Sequence, residues 1–183
     1  MRARALHLIT RIHGRERKYI DTAIKDADSD IRLTGLRITR ELKLDVIPVV
    51  KALAHDDSAQ VRRECALALR HNTSPEASKL WAQLAAQRDG SDRWYLEALG
   101  IGADRQWDSF LEAWLAEVGP QTDTPAGRSI VWRSRSKKTP ALLARIIKDK
   151  GLSAAEREHY FRALDFVNGP EKDAALIELL TVK

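Results

Sequence analysis

The chain has a single cysteine, Cys65, in 183 residues. That excludes an intramolecular disulfide, a CxxC redox or metal motif and the CxxCH attachment of a c-type haem. Cys65 falls on the apolar stripe of a helical stretch, where its expected role is core filler. No apolar run approaches the roughly 18 residues that a spanning helix needs, so no membrane insertion is expected. No signal peptide is visible, because Met1-Arg2-Ala3-Arg4 leads straight into an amphipathic stretch. The histidines His7, His13, His55, His71 and His159 show no metal-ligand spacing. The chain also lacks a Gly-rich phosphate loop, paired carboxylates at a catalytic spacing, and a Ser or Cys nucleophile motif. No metal and no cofactor are expected, and no reaction is written in the motifs.

What is present is charge of both signs on an apolar framework. Hydrophobic residues make up 44% and charged residues 31% of the chain, too apolar for disorder and too charged for a membrane protein. The formal net charge of +5 permits an anionic partner without requiring one.

The organising feature is a repeat. In the stretch Asp56 to Arg70, Ser58 stands at a helix N-cap, Val61 and Arg62 follow, and Cys65, Ala66 and Leu69 form an apolar stripe at helical spacing. The same column recurs at Met1, Ile31, Val61, Trp94, Gly127 and Glu156, at spacings of 30, 30, 33, 33 and 29 residues. Asp26 and Asp28 precede Ile31, Asp89 and Ser91 precede Trp94, Thr124 precedes Gly127, and Ser153 precedes Glu156. Pro125 follows its cap at the first helical position, where a missing N–H costs nothing. Between these helices lies a second set, marked by Tyr19 and Ile20, by Val46 to Leu53, by Leu80 to Leu84, by Trp107 to Leu115, by Leu142 to Ile147 and by Ala174 to Leu180. Gly119 to Thr124 reads as a loop, not as a domain boundary. Paired helices at a period near 30 predict an all-α solenoid, a single domain over residues 1–183.

The Asp–cap–Val/Ile–Arg sets, Asp26/Asp28/Ile31/Arg32 and Asp56/Ser58/Val61/Arg62, with the more divergent Asp89/Ser91/Trp94, resemble a HEAT repeat array (the lyase HEAT-like type). The resemblance implies a right-handed α-α superhelix of about six helical hairpins, and a ladder in which Asp26, Asp56 and Asp89 meet Arg32 and Arg62 of adjacent turns. It also implies that the second helices, starting near Ile31, Val61, Trp94, Gly127 and Glu156, line the concave side. In the fifth and sixth repeats the Asp column is lost. Asp89 to Ala103 and Thr124 to Ser134 further resemble the helical repeat section of large exported planctomycete and verrucomicrobial proteins, which join a dehydrogenase-like propeller, HEAT repeats and a c-type haem domain. That implies a spacer or docking module from a larger polypeptide, periplasmic or extracellular, whose partner is a protein or a neighbouring domain. The ends agree, since the first repeat lacks its first helix and Ala174 to Lys183 is a first helix without its second.

Where the copies fail, candidate sites appear. Arg128, Arg133, Arg135, Lys137 and Lys138 are the densest basic cluster, with Trp132 and Ser134 interleaved and no acidic residue from Thr124 through Lys148. Ser134 and Arg135 stand where other repeats carry core residues. Two readings are open: a solvated helix end that favours its own dipole, or an anion site for phosphate, nucleic acid or a polyanionic glycan. Trp94, Tyr95, Trp107, Trp114 and Trp132 crowd the middle of the chain; core between repeats is the first reading and a ligand cage the second, in which Trp94 and Tyr95, the latter standing in the Arg column, join the candidate anion-binding residues. Arg93 beside Trp94 suits a cation–π contact. An enzymatic alternative resembles the HEAT-like DNA glycosylases, which use Trp, Arg and one Asp in a basic groove. Asp104, Asp108, Trp107, Trp114, Arg128 and Trp132 are of those residue types, without the family's local motifs. The leading expectation is a non-catalytic protein-interaction or spacer module. Nucleic-acid binding is a second reading.

Overall fold

The computed structural model describes residues 1–12 and 14–181; His13, Val182 and Lys183, named above, lie outside the described residues. Among the described residues the chain is all-helical and contains no strand. The α-helices are α1 (Arg2–Ile9), α2 (Glu16–Ala23), α3 (Ser29–Glu41), α4 (Ile47–Leu53), α5 (Ala59–Ala68), α6 (Ala77–Ala86), α7 (Arg93–Gly102), α8 (Trp107–Val118), α9 (Pro125–Arg133), α10 (Thr139–Ile147), α11 (Ala154–Arg162) and α12 (Pro170–Leu180). Every apolar stretch read from the sequence overlaps one of them. The expected loop after α8 is instead a 3₁₀ helix, Gly119–Asp123, and a second one, Ala163–Phe166, follows α11.

Start signals act as their chemistry dictates. Asp28, Asp92, Thr124 and Ser153 accept from backbone amides of the helices they cap, Ser153 in a full capping box with Glu156. Ser58 sits at the N-cap of α5 but its hydroxyl makes no cap bond. Before these helices the same turn recurs: a carboxylate oxygen accepts the amide two residues on, at Asp26–Asp28, Asp56–Ser58, Asp89–Ser91 and Asp149–Gly151, each at 2.9 Å.

Helices pack on their chain neighbours and on the helix two places along. One row runs α1, α3, α5, α7, α9; α4, α6 and α8 form another, and α12 packs on α10. Buried apolar residues from Leu6 to Val167 make one continuous cluster. Leu36, Leu69, Leu99 and Leu111 are fully buried in it, each contributing about 1.5–3 kcal/mol. Trp81 donates from its indole to the Leu99 carbonyl at 3.0 Å and meets Trp107 edge-on at 5.7 Å. At the α5–α7 crossing a Cβ on Gly102 would stand 2.2 Å from the Ala66 carbonyl oxygen, so only glycine fits.

Ion pairs tie neighbouring repeats. Arg32 of α3 grips Asp56 with two bonds of 2.6 and 2.7 Å, and its third nitrogen reaches the carbonyls of Asp26 and Ala27. Arg2, an exposed side chain, pairs with Asp26 through a single nitrogen, its other one facing Asp28 at 3.8 Å. Arg128 pairs with Asp149 at 2.6 Å, so the Asp column is not lost in the sixth repeat but displaced by two residues, making room for Gly151. The rung expected between Arg62 and Asp89 is not among the described contacts. Arg62 donates to the carbonyls of Asp56 and Asp57 and lies 5.7 Å from the centre of the Tyr95 ring. Between the fourth and fifth repeats the buried Arg88 spans the gap, donating to Gly90 O at 2.9 Å and Ala126 O at 3.4 Å.

Candidate functional site

The cap of α7 moves the expected site. Asp92, not Ser91, caps the helix, because its carboxylate accepts from the Tyr95 amide at 3.0 Å. The register of the repeat therefore shifts by one. Tyr95 takes the buried column of Val61, and the uncharged Leu96 takes the Arg column. Tyr95 is buried, donates from its hydroxyl to Leu84 O at 2.9 Å, and burial raises its pKa. It is a core residue, not a member of the Arg column. Trp94, expected in the core, is turned outward and is 72% exposed. No contact with Arg93 replaces that lost burial among the described residues; the cation–π contacts are Arg62 with Tyr95 and Arg135 with Phe166.

The basic cluster is dispersed by its partners. Arg128 belongs to the rung with Asp149. Arg133 donates to Glu97 on α7 at 3.1 Å. Lys138 reaches Glu112 at 2.8 Å. Lys137 has an exposed side chain, and its amide donates to Asp108 at 2.8 Å. Trp132 is half-buried and stacks on His159, centroids 4.8 Å apart. Ser134 and Arg135 do not weaken a core face, because α9 ends at Arg133. Ser134 is its buried C-cap, tied to the Thr139 hydroxyl at 2.7 Å and to the Ser136 amide at 3.2 Å. Arg135 folds back, and one of its nitrogens donates to the carbonyls of Trp132, Arg133 and Ser134, the negative end of α9. Its guanidinium lies 4.8 Å from the Phe166 ring centre, and burial, then the neighbouring Arg133, lowers its pKa.

Two of these arginines nevertheless meet. Arg133 and Arg135 line an open groove of about 830 Å³ at the C-terminal ends of α5, α7 and α9, together with Arg70, Gly100, Asp104 and Arg105. Gly100 is what admits Arg133, since a Cβ there would stand 2.4 Å from the guanidinium carbon. Arg105 has a left-handed backbone, φ 60°, like His71 at φ 58° and Lys43 at φ 55° after the ends of α5 and α3. This turn carries the exposed Arg105 over the groove. Arg70 and His71 hold Asp104 at 2.8 and 3.1 Å and keep its carboxyl below the ordinary range. The Lys137 amide does the same for Asp108. Both carboxylates are ionised and already engaged.

For the glycosylase-type set the geometry is unfavourable. Trp107 and Trp114 are buried in the core and cannot stack on a base, and Arg128 lies in its rung. Among the described residues no cluster of His, Cys, Asp or Glu is placed to hold a metal, and no helix is long and apolar enough to cross a membrane.

Beside the groove α7 presents Trp94, Glu97 and Ile101 at helical spacing, with Trp94 and Ile101 exposed. Reading the sequence in columns missed this face, together with Arg70, Arg105, Glu64 and Glu97. Glu64 is buried under Arg37 and Arg40 at 3.0 and 2.6 Å. The one signal for the outward Trp94 was Asp92, the alternative cap. No protein-family model, no curated protein and no solved structure matches the chain.

Proposed function

We propose that the chain is a HEAT-type right-handed superhelix that serves as a non-catalytic protein-interaction module. The repeated turn, the Arg2–Asp26, Arg32–Asp56 and Arg128–Asp149 rungs and the stacking along the rows α1, α3, α5, α7, α9 and α4, α6, α8 support the HEAT reading. The row α3, α5, α7, α9 then forms the concave side, a shape suited to an extended partner. The observation that carries the function is the exposed Trp94. A bare indole, followed by Ile101 and then by the arginine-lined groove, combines the residue types that dominate binding energy at protein interfaces. Within the groove Arg70 and Arg133 are paired with Asp104 and Glu97, which leaves Arg105 and Arg135 to meet an acidic segment whose apolar side chain packs on Trp94 and Ile101. Nucleic acid is disfavoured because Arg128, Arg133 and Lys138 are neutralised by carboxylates of the chain itself.

Peptides selected from a random display library should be rich in Asp, Glu and large apolar residues. Their affinity should fall roughly thirtyfold, about 2 kcal/mol, with Trp94→Ala, and less with Arg105→Ala. Peptide binding indifferent to Trp94→Ala would overturn the assignment of the face. Duplex DNA binding at low salt, weakened by Arg133→Ala and Arg135→Ala, would favour the nucleic-acid reading in its place.

A further inference from the structure

One junction between repeats is joined without a carboxylate. The residue before the turn aspartate is basic in four repeats: Lys25, His55, Arg88 and Lys148. Lys25 and His55 are exposed, and Lys148 pairs with Glu178. Arg88 is 8% exposed, and its described bonds run to the carbonyls of Gly90 and Ala126. Asp89 and Asp92 act on it through space, but they are bound to Ser91 and to Arg63 and form no ion pair with it among the described residues. Burial outweighs them and lowers the Arg88 pKa. A buried charge without a counter-ion is costly and is normally paired.

Two donors are left over at this place. The Arg88 Nε and the Trp114 indole N–H are both buried and meet no acceptor among the described residues. Trp114 is 1% exposed. Neither group accepts a hydrogen bond, so they cannot satisfy one another. Both side chains line a cavity of about 40 Å³. Its walls include the apolar Val118 and Ile130, and among the described residues no carboxylate lines it. The first turn of α9 lines it too and adds the positive end of a helix dipole. Gln121 and Thr124, both exposed, complete the lining and put the cavity within reach of solvent.

Size and charge select the occupant. A single water needs about 10–15 Å³, so the space suits a monatomic ion and is far too small for a nucleotide or a peptide. A water could accept from both donors, yet it would leave the arginine charge uncompensated. A halide accepts from both and neutralises it.

We propose that this cavity is a chloride site, in which the ion accepts from the Arg88 Nε and the Trp114 indole and does for the junction of the fourth and fifth repeats what Asp56 and Asp149 do for theirs. The site is separate from the arginine-lined groove and does not rest on what binds there. Chloride bound at this place stabilises the folded chain, because the unfolded one has no such cavity.

Thermal unfolding of the full chain, with chloride exchanged for gluconate at constant ionic strength, tests the site. At about twenty times its Kd an ion favours the folded chain about 21-fold, which raises Tm by about 4–7 °C for a chain of this length. The rise should level off as chloride is added. Arg88→Met fills similar space without a charge and should melt at a temperature independent of chloride. Trp114→Phe removes one donor and should need about tenfold more of the ion. Arg105→Ala, in the groove, should keep the full response. A crystal of the parent grown in bromide should show an anomalous peak within hydrogen-bonding distance of Arg88 and Trp114, a readout that needs no variant to fold. A water in place of bromide overturns the proposal. So does a parent Tm indifferent to chloride, a chloride response that survives Arg88→Met, or one abolished by Arg105→Ala.

Discussion

The Arg32–Asp56 rung should be worth more than any other ion pair in the chain. The two side chains are 13% and 4% exposed, and two parallel bonds of 2.6 and 2.7 Å join them. A pair so withdrawn from water leaves an uncompensated charge when one partner is removed, at a cost of about 3–5 kcal/mol. Here the lower figure applies, because Arg32 keeps the exposed Asp57 and two backbone carbonyls as partners. Asp56→Ala and Arg32→Ala should thus each lower unfolding free energy by about 3 kcal/mol. In the double mutant the two losses should not add, leaving a coupling of about 2 kcal/mol. Urea unfolding followed by circular dichroism near neutral pH measures all four corners of the cycle. A coupling below about 0.5 kcal/mol, the value of an exposed pair, would refute the argument from burial. Acid supplies an independent arm. Burial disfavours the ionised Asp56, but the Arg32 guanidinium and the Ser58 amide outweigh it and hold the carboxyl below the ordinary range. Because the folded value is the lower one, the contribution is complete above the unfolded value of about 3.9 and disappears as pH falls through the folded value. The stability difference between the parent and Asp56→Ala should accordingly shrink in acid.

Two further perturbations test the packing. Gly102→Ala drives a Cβ into the Ala66 carbonyl at 2.2 Å and should force α5 and α7 apart, lowering stability by about 1–3 kcal/mol in thermal melts; Gly100→Ala meets only the movable end of Arg133 and should cost much less. Cys65 is fully buried and burial pushes its thiol far up, so native protein should resist iodoacetamide and react at the rate of α5 opening, measured by mass shift across a urea series.

Which parts of this could be read from residues alone follows from the range of the interactions. Helices were legible because their apolar spacing and caps are local: the stripe Val61, Cys65, Leu69 and the box Ser153–Glu156 need no knowledge of the rest of the chain. The site was harder. Ser91 and Asp92 are both good caps, and only packing against Leu84 and Arg62 decides that Tyr95 turns inward and Trp94 outward. The basic run from Arg128 to Lys138 looked free because its carboxylate partners lie 21 to 36 residues away, at Asp149, Glu112 and Glu97. Arg135 looked like a failed core position because the end of α9 is set by Ser134 and Thr139, two hydroxyls that sequence columns do not distinguish from solvent-facing ones.

The pairing of each helix with neighbours one or two places along has a kinetic meaning. Contacts that close short loops form quickly, and a chain whose core is assembled from them has no single distant pairing to wait for. In the proposed solenoid, folding can begin at whichever hairpin forms first and spread in both directions. The same proposal bears on descent. A duplicated or deleted hairpin would leave the remaining helices of such an array with partners of the same kind, so its length could change by whole repeats while the architecture stayed.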